Sequence, residues 1–153
     1  MDLILWRHAE ALDMRELEDD LDRALTAKGE RQAHRMAAWL GRQLPSSARV
    51  LVSPARRTQQ TAQALDRKFK TTAALAPGGD VEGLLAAARW PDGREAVLVV
   101  GHQPTLGLAA SYLLSGQPQP WTLRKGAVWW LRGREREGVL QVVLHAVLTP
   151  ELL

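Results

Sequence analysis

The chain has 153 residues, 46% hydrophobic and 24% charged, which fits one ordinary globular domain spanning residues 1–153 with room for a proper core. It contains no Cys, which excludes disulfides, thiolate metal sites and a cysteine nucleophile. A net charge of +3 suits an anionic ligand or an acidic protein surface and is too small to argue for nucleic acid. No apolar run approaches the roughly 18 residues of a membrane span, and Asp2 argues against a signal peptide, so a cytoplasmic location is expected.

The chain opens on Leu3-Ile4-Leu5-Trp6, a short apolar run that stops at Arg7-His8. Such a run reads as a strand buried on both faces in a parallel sheet covered by helices. Residues 13–22 are dense in charge and read as a solvated loop or short helix. Thr26 then offers an N-cap for a helix to about Gln43, with Ala33, Met36, Ala37, Leu40 and Leu44 at helical spacing. Residues 49–53 form a second buried strand, and Pro54 suits the first turn of a helix with Thr58, Thr61, Ala62, Leu65 and Phe69 on one face. A weak third strand is expected over 70–75, then a turn in which Asp80 caps a helix with Val81, Leu84, Leu85 and Ala88 inward.

Ala96-Val97-Leu98-Val99-Val100 is the clearest buried strand; it ends at Gly101-His102-Gln103-Pro104 and a helix follows. Two last strands, 127–131 and 139–147, are joined by the charged segment 132–138, read as a solvated turn of a hairpin. Strands alternating with helices, closed by a hairpin, predict a three-layer α/β/α sandwich around a mostly parallel mixed sheet. His34 and His145 fall away from any strand's carboxyl rim and are set aside. Adjacent Trp129 and Trp130 must point to opposite faces of their strand, so packing accounts for at least one.

Three buried strands thus end in polar residues of one kind: Arg7-His8, Ser53-Pro54-Ala55-Arg56-Arg57, and His102. In a parallel sheet ligands bind at the carboxyl ends of the strands, so two or three guanidinium groups and two imidazoles converge on one rim. Guanidinium groups fork around phosphate oxygens and stay charged at any relevant pH. Helix N-termini expected to begin at Pro54 and Pro104 add backbone donors and a favourable dipole. There is no phosphate-cradling G-x-x-x-x-G-K-[ST] loop and no His/Asp/Glu cluster with metal-ligand spacing. The remaining nucleophile is histidine: a neutral imidazole attacks phosphorus in line, with no metal and no cofactor.

The motifs Arg7-His8-Ala9, Ser53-Pro54-Ala55-Arg56-Arg57-Thr58-Gln59-Gln60-Thr61-Ala62 and Gly101-His102-Gln103-Pro104 span most of the chain. With the helix opening Leu25-Thr26-Ala27-Lys28-Gly29-Glu30-Arg31-Gln32-Ala33, they resemble the histidine phosphatase superfamily. The compact length makes the chain look most like the small SixA-type phosphohistidine phosphatases. The resemblance implies a phosphoglycerate mutase-like fold, His8 as the phospho-accepting nucleophile, Arg7 and Arg57 as phosphate clamps, and His102 as a further donor. It selects Arg57 over Arg56, which reads as a solvated helix residue. Ser53 and Thr26 read as strand-end and helix caps.

Ala9 stands where the family has Gly, and Gln103 where Asn is common, a change expected to touch only a supporting hydrogen bond. Larger members carry a Glu that protonates a departing alkoxide. Asp80 and Glu82 are the candidates by position, although both also read as helix cap and first-turn carboxylate. A site with clamps but no strong acid favours phosphoramidates, because imidazole is a weaker base than an alkoxide. The expected substrate is therefore a histidine-phosphorylated protein, a phosphotransfer domain of a signalling relay, with inorganic phosphate as product and no nucleic-acid or membrane partner. The rivals are a small-molecule phosphomonoesterase or mutase of the same superfamily, and a non-catalytic phosphate-binding module.

Overall fold

The computed structural model describes residues 1–14 and 19–153. Strand β1 (Asp2–Arg7) runs through the middle of a six-stranded sheet. Its four central residues are fully buried because side chains of successive residues face opposite helical layers. Ile4 and Trp6 pack with Met36, Ala37 and Leu40 of α1 (Ala27–Gln43) and Ala62 of α2 (Arg56–Gln63). Leu3 and Leu5 pack with Leu84 and Ala88 of α3 (Val81–Ala88) and Leu106, Ala109 and Ala110 of α4 (Thr105–Ser115). The result is the expected α/β/α sandwich, and each large apolar side chain buried this way contributes roughly 1.5–3 kcal/mol.

With β2 (Arg49–Val52), β3 (Lys70–Thr71), β4 (Val97–Gly101), β5 (Val128–Arg136) and β6 (Val139–Leu148), the sheet order is β3-β2-β4-β1-β5-β6. β1, β2, β3 and β4 are parallel, and β5 and β6 are antiparallel additions. The register sets Arg7 beside Gly101 and Val52 beside Val100, so three strands stop level with one another. The Asp2 carboxylate pins β1 to β5 by accepting from Trp130 Nε1 and from Arg132 Nε and Nη2.

Several expectations need correction. The third strand shrinks to Lys70–Thr71, because Thr72 caps a 3₁₀ turn over Ala73–Leu75. Pro54 lies ahead of α2 rather than in its first turn: Ala55 is the N-cap. The charged stretch 132–136 is not a turn but the outer half of β5, paired residue for residue with β6. Only Glu137 and Gly138, both at positive φ, make the turn. Cross-strand pairing needs backbone, not apolar side chains, once the strand leaves the core. In the segment 13–22, Asp20–Asp22 forms a 3₁₀ turn, while residues 15–18 lie outside the described residues.

Trp129 and Trp130 do face opposite layers. Trp129 packs toward Trp121, and Trp130 lies edge-on to Trp39 and to His145. His145 is the extra residue where the β5–β6 register shifts, and it is exposed, as is His34 on α1.

Candidate active site

The rim where β1, β2 and β4 end gathers the polar residues. The His8 N–H donates to the Gly101 carbonyl (3.2 Å) and the Ser53 N–H to the Val100 carbonyl (3.1 Å), continuing the parallel ladders by one residue. His8 and His102 therefore leave adjacent strands at the same level, with ring centroids 5.3 Å apart and planes tilted by 54°.

Each of four side chains uses one end on the protein. Arg7 donates from Nη1 to the Leu123 carbonyl (2.9 Å). Arg57 donates from Nη1 to the Asp20 carbonyl (2.9 Å) and from Nη2 to the Asp20 carboxylate (3.1 Å). His102 Nε2 lies 2.7 Å from Ser53 Oγ. His8 Nδ1 lies 2.7 Å from the Ala9 carbonyl. A carbonyl only accepts, so Nδ1 carries the proton and Nε2 of His8 keeps its lone pair. Among the described residues, Arg7 Nε, Arg57 Nε and His102 Nδ1 are buried with no partner in the protein. Buried polar nitrogens without partners cost about 1–3 kcal/mol each, and two guanidinium nitrogens with one ring nitrogen unpaired around one rim suit an oxyanion as their partner.

Electrostatics keep the imidazoles neutral. Burial, then the neighbouring His102, Arg57 and Arg7, push the His8 pKa down to about 3. Burial, then Arg57, push His102 to about 4. Both rings are thus uncharged near neutral pH, and the positive charge of the rim belongs to the two arginines. Burial raises the Asp20 carboxyl, but hydrogen bonds from Arg23 and Arg57 outweigh it and hold the group below the usual carboxylate range.

The surrounding motif residues hold this rim in place. Thr61 Oγ1 donates to the Arg57 carbonyl and accepts from the Ala9 N–H, tying α2 to the end of β1. Gln32 accepts from the Glu10 N–H and Gln60 from the Leu25 N–H. Thr26 caps α1 through the Gly29 N–H, as expected. A Cβ at Gly29 would land on the Glu10 carbonyl, so the helix approaches the β1 exit only because that residue is glycine. Gln103 bridges Gly107 and Trp121, a supporting role. Ala9 is fully buried, and its side chain is accommodated there. Arg56 is exposed.

Asp80 caps α3 by accepting from Gly83, and Glu82 is exposed on its first turn. Neither hydrogen-bonds to the four rim residues, among the described residues. The carboxylate that does reach the rim is Asp20. Sequence reasoning missed it because a loop contact across 37 positions leaves no periodic signal. Ser53 caps as expected, its Oγ accepting from the Ala55 N–H, and its hydroxyl also meets His102; the position of Ser53 at a strand end one place past Val52 was the available clue to that second contact.

Residues 3–85 match the family model described as histidine phosphatase superfamily (branch 1). The chain belongs to that superfamily. It is a phosphatase by membership. It is 35% identical over 130 residues to the phosphohistidine phosphatase SixA of Escherichia coli, covering 78% of each chain. It is equally similar, 35% over 140 residues, to an uncharacterized protein of Picosynechococcus, covering 86% of this chain and 85% of that one. A solved structure of the protein histidine phosphatase SixA complexed with tungstate superposes with a TM-score of 0.82, at 27% identity and 99% coverage of both chains. No helix among the described residues is long and apolar enough to cross a membrane.

Proposed function

We propose that this superfamily member is a metal-independent phosphohistidine phosphatase in which His8 is the nucleophile. Arg7, Arg57 and His102 hold the phosphoryl oxygens. The observation that carries the reading is the set of unpartnered buried nitrogens on those three residues, two of them guanidinium donors, beside an imidazole with a free Nε2 lone pair. The tungstate bound by the SixA structure is a tetrahedral oxyanion of the same shape as phosphate.

Nε2 of His8 forms a bond to phosphorus as the substrate's P–N bond breaks. The electron pair stays on the departing imidazole nitrogen, which takes a proton from solvent. Water then attacks phosphorus, the Nε2–P bond breaks, and inorganic phosphate leaves. The first step exchanges one phosphohistidine for another, so it needs little driving force, and the guanidinium groups stabilise charge on the equatorial oxygens. Asp20 stays ionised between two arginines and is a poor proton donor. An alkoxide leaving group would lack an acid, which favours the phosphoramidate and, as physiological substrate, a histidine-phosphorylated phosphotransfer protein.

The test is turnover of a histidine-phosphorylated protein against sugar phosphates, with His8→Ala as control. Faster release of phosphate from the protein, absent in the variant, supports the reading; preference for sugar phosphates would replace it with a phosphomonoesterase.

A further inference from the structure

We infer that Ser53 is a positioning residue that fixes the ring tautomer of His102, so that its Nδ1–H is the donor offered to the phosphoryl group. Ser53 is fully buried and His102 nearly so. Ser53 Oγ accepts from the Ala55 N–H at 3.3 Å. Among the described residues, the one acceptor that its own hydroxyl hydrogen meets is His102 Nε2, at 2.7 Å. Were the ring proton on Nε2 instead, Ser53 Oγ would accept it and the serine hydrogen would be left without an acceptor in the interior. The arrangement that satisfies both groups puts the lone pair on Nε2 and the proton on Nδ1. That Nδ1 is the buried nitrogen left without a partner.

His8 makes the comparison sharp. Its Nδ1–H is held by the Ala9 carbonyl and its Nε2 lone pair is free, whereas Ser53 holds the lone pair of His102 and frees the N–H. Two neighbouring neutral imidazoles thus receive opposite tasks, nucleophile and donor, from the partner of the nitrogen that does not face the reaction. Without the Ser53 hydroxyl, His102 is free to turn its Nδ1 lone pair toward the phosphoryl oxygens, which repels them. The consequence for turnover rests on the phosphatase reading; the tautomer itself does not.

The test is a long-range proton–nitrogen correlation spectrum of the histidine-labelled, phosphate-free protein near neutral pH. The wild type is expected to show His102 protonated on Nδ1, and Ser53→Ala to show a mixture with the Nε2–H form. Hydrolysis of a histidine-phosphorylated protein by Ser53→Ala is expected to fall in kcat by about tenfold or more, short of the roughly 10²–10³ that loss of a donor outright costs. Ser53→Thr, which keeps a hydroxyl, should restore the wild-type tautomer and most of the rate. A wild-type His102 protonated on Nε2 overturns the inference, even if Ser53→Ala fails to fold. So does a Ser53→Ala spectrum unchanged from the wild type. Failure of the wild type to hydrolyse phosphohistidine would instead sink the substrate reading and leave the tautomer result standing.

Discussion

Arg57 gives both terminal nitrogens to Asp20, one to its carbonyl and one to its carboxylate, and keeps Nε inward without a partner. Arg57 is almost fully buried while Asp20 sits at the surface, so the 3₁₀ turn Asp20–Asp22 anchors the guanidinium from outside. Arg23 braces the same carboxylate at 3.1 Å. A guanidinium held at its two outer nitrogens cannot swivel, and a fixed donor stabilises a transition state without reorganising.

Removing that anchor should loosen the clamp. Asp20→Ala is expected to lower kcat/KM on a histidine-phosphorylated protein about tenfold, the order of one charged hydrogen bond at a half-exposed site. Asp20→Asn, whose amide oxygen still accepts, should retain most of the rate. Steady-state kinetics of the two variants check this. Faster turnover in Asp20→Ala would mean that the carboxylate competes with the phosphoryl group rather than anchoring its clamp.

Arg56 and Arg57 separate cleanly by position. Arg57→Lys has one nitrogen where Arg57 has three, so it cannot span both Asp20 oxygens and also place a donor where Nε lies, and should lose roughly 10²-fold or more in kcat/KM. Arg56→Ala, at an exposed position, should change it less than about twofold. Equal losses in the two variants would contradict the geometry.

The buried histidines make stability depend on pH. Their pKa values lie at about 3 and about 4 in the fold, against an ordinary 6.5. As pH falls through 6.5 the unfolded chain gains protons that the folded one refuses, so stability is full above about pH 7 and declines below it. Each ring contributes on the order of 1 kcal/mol per pH unit within that window. Asp2 and Asp20 are also held low, but their loss begins only near their ordinary value of 3.8. Urea denaturation between roughly pH 6.5 and 4.5 therefore reads the histidines. His102→Ala should flatten the slope; a wild-type slope of zero would show the rings to be ordinary in the fold.

Glycine placement offers a matched pair. Gly29 meets the Glu10 backbone, and Gly29→Ala should destabilise by roughly 1–3 kcal/mol, because backbone cannot yield as a side chain can. Gly41, exposed near the end of α1 with open space around it, should tolerate Ala and gain about 0.5–1 kcal/mol. Thermal denaturation of both variants checks the sign.

The sandwich was legible because its signals are local: four apolar residues ending at Arg7-His8, the Thr26 cap, and the helical spacing of Met36, Ala37 and Leu40. The meeting of His8, Arg57 and His102 at one rim also followed, since parallel strands stop on the same side. Reading charge as turn failed over 132–136, where backbone pairing alone carries the strand. Asp20 was hidden for another reason. Its contact depends on where a side chain finds a hydrogen-bond partner across 37 positions of the fold, and composition along the chain holds no record of that.

The proposed chemistry turns on attack at phosphorus by the free Nε2 of His8. Brief reaction with a labelled phosphohistidine protein, rapid quench and mapping of the label tests it most directly. An acid-labile, alkali-stable phosphoryl group on Nε2 of His8, absent in His8→Ala, is the expected result. A label on a carboxylate or on another histidine, or turnover retained by His8→Ala, would contradict it.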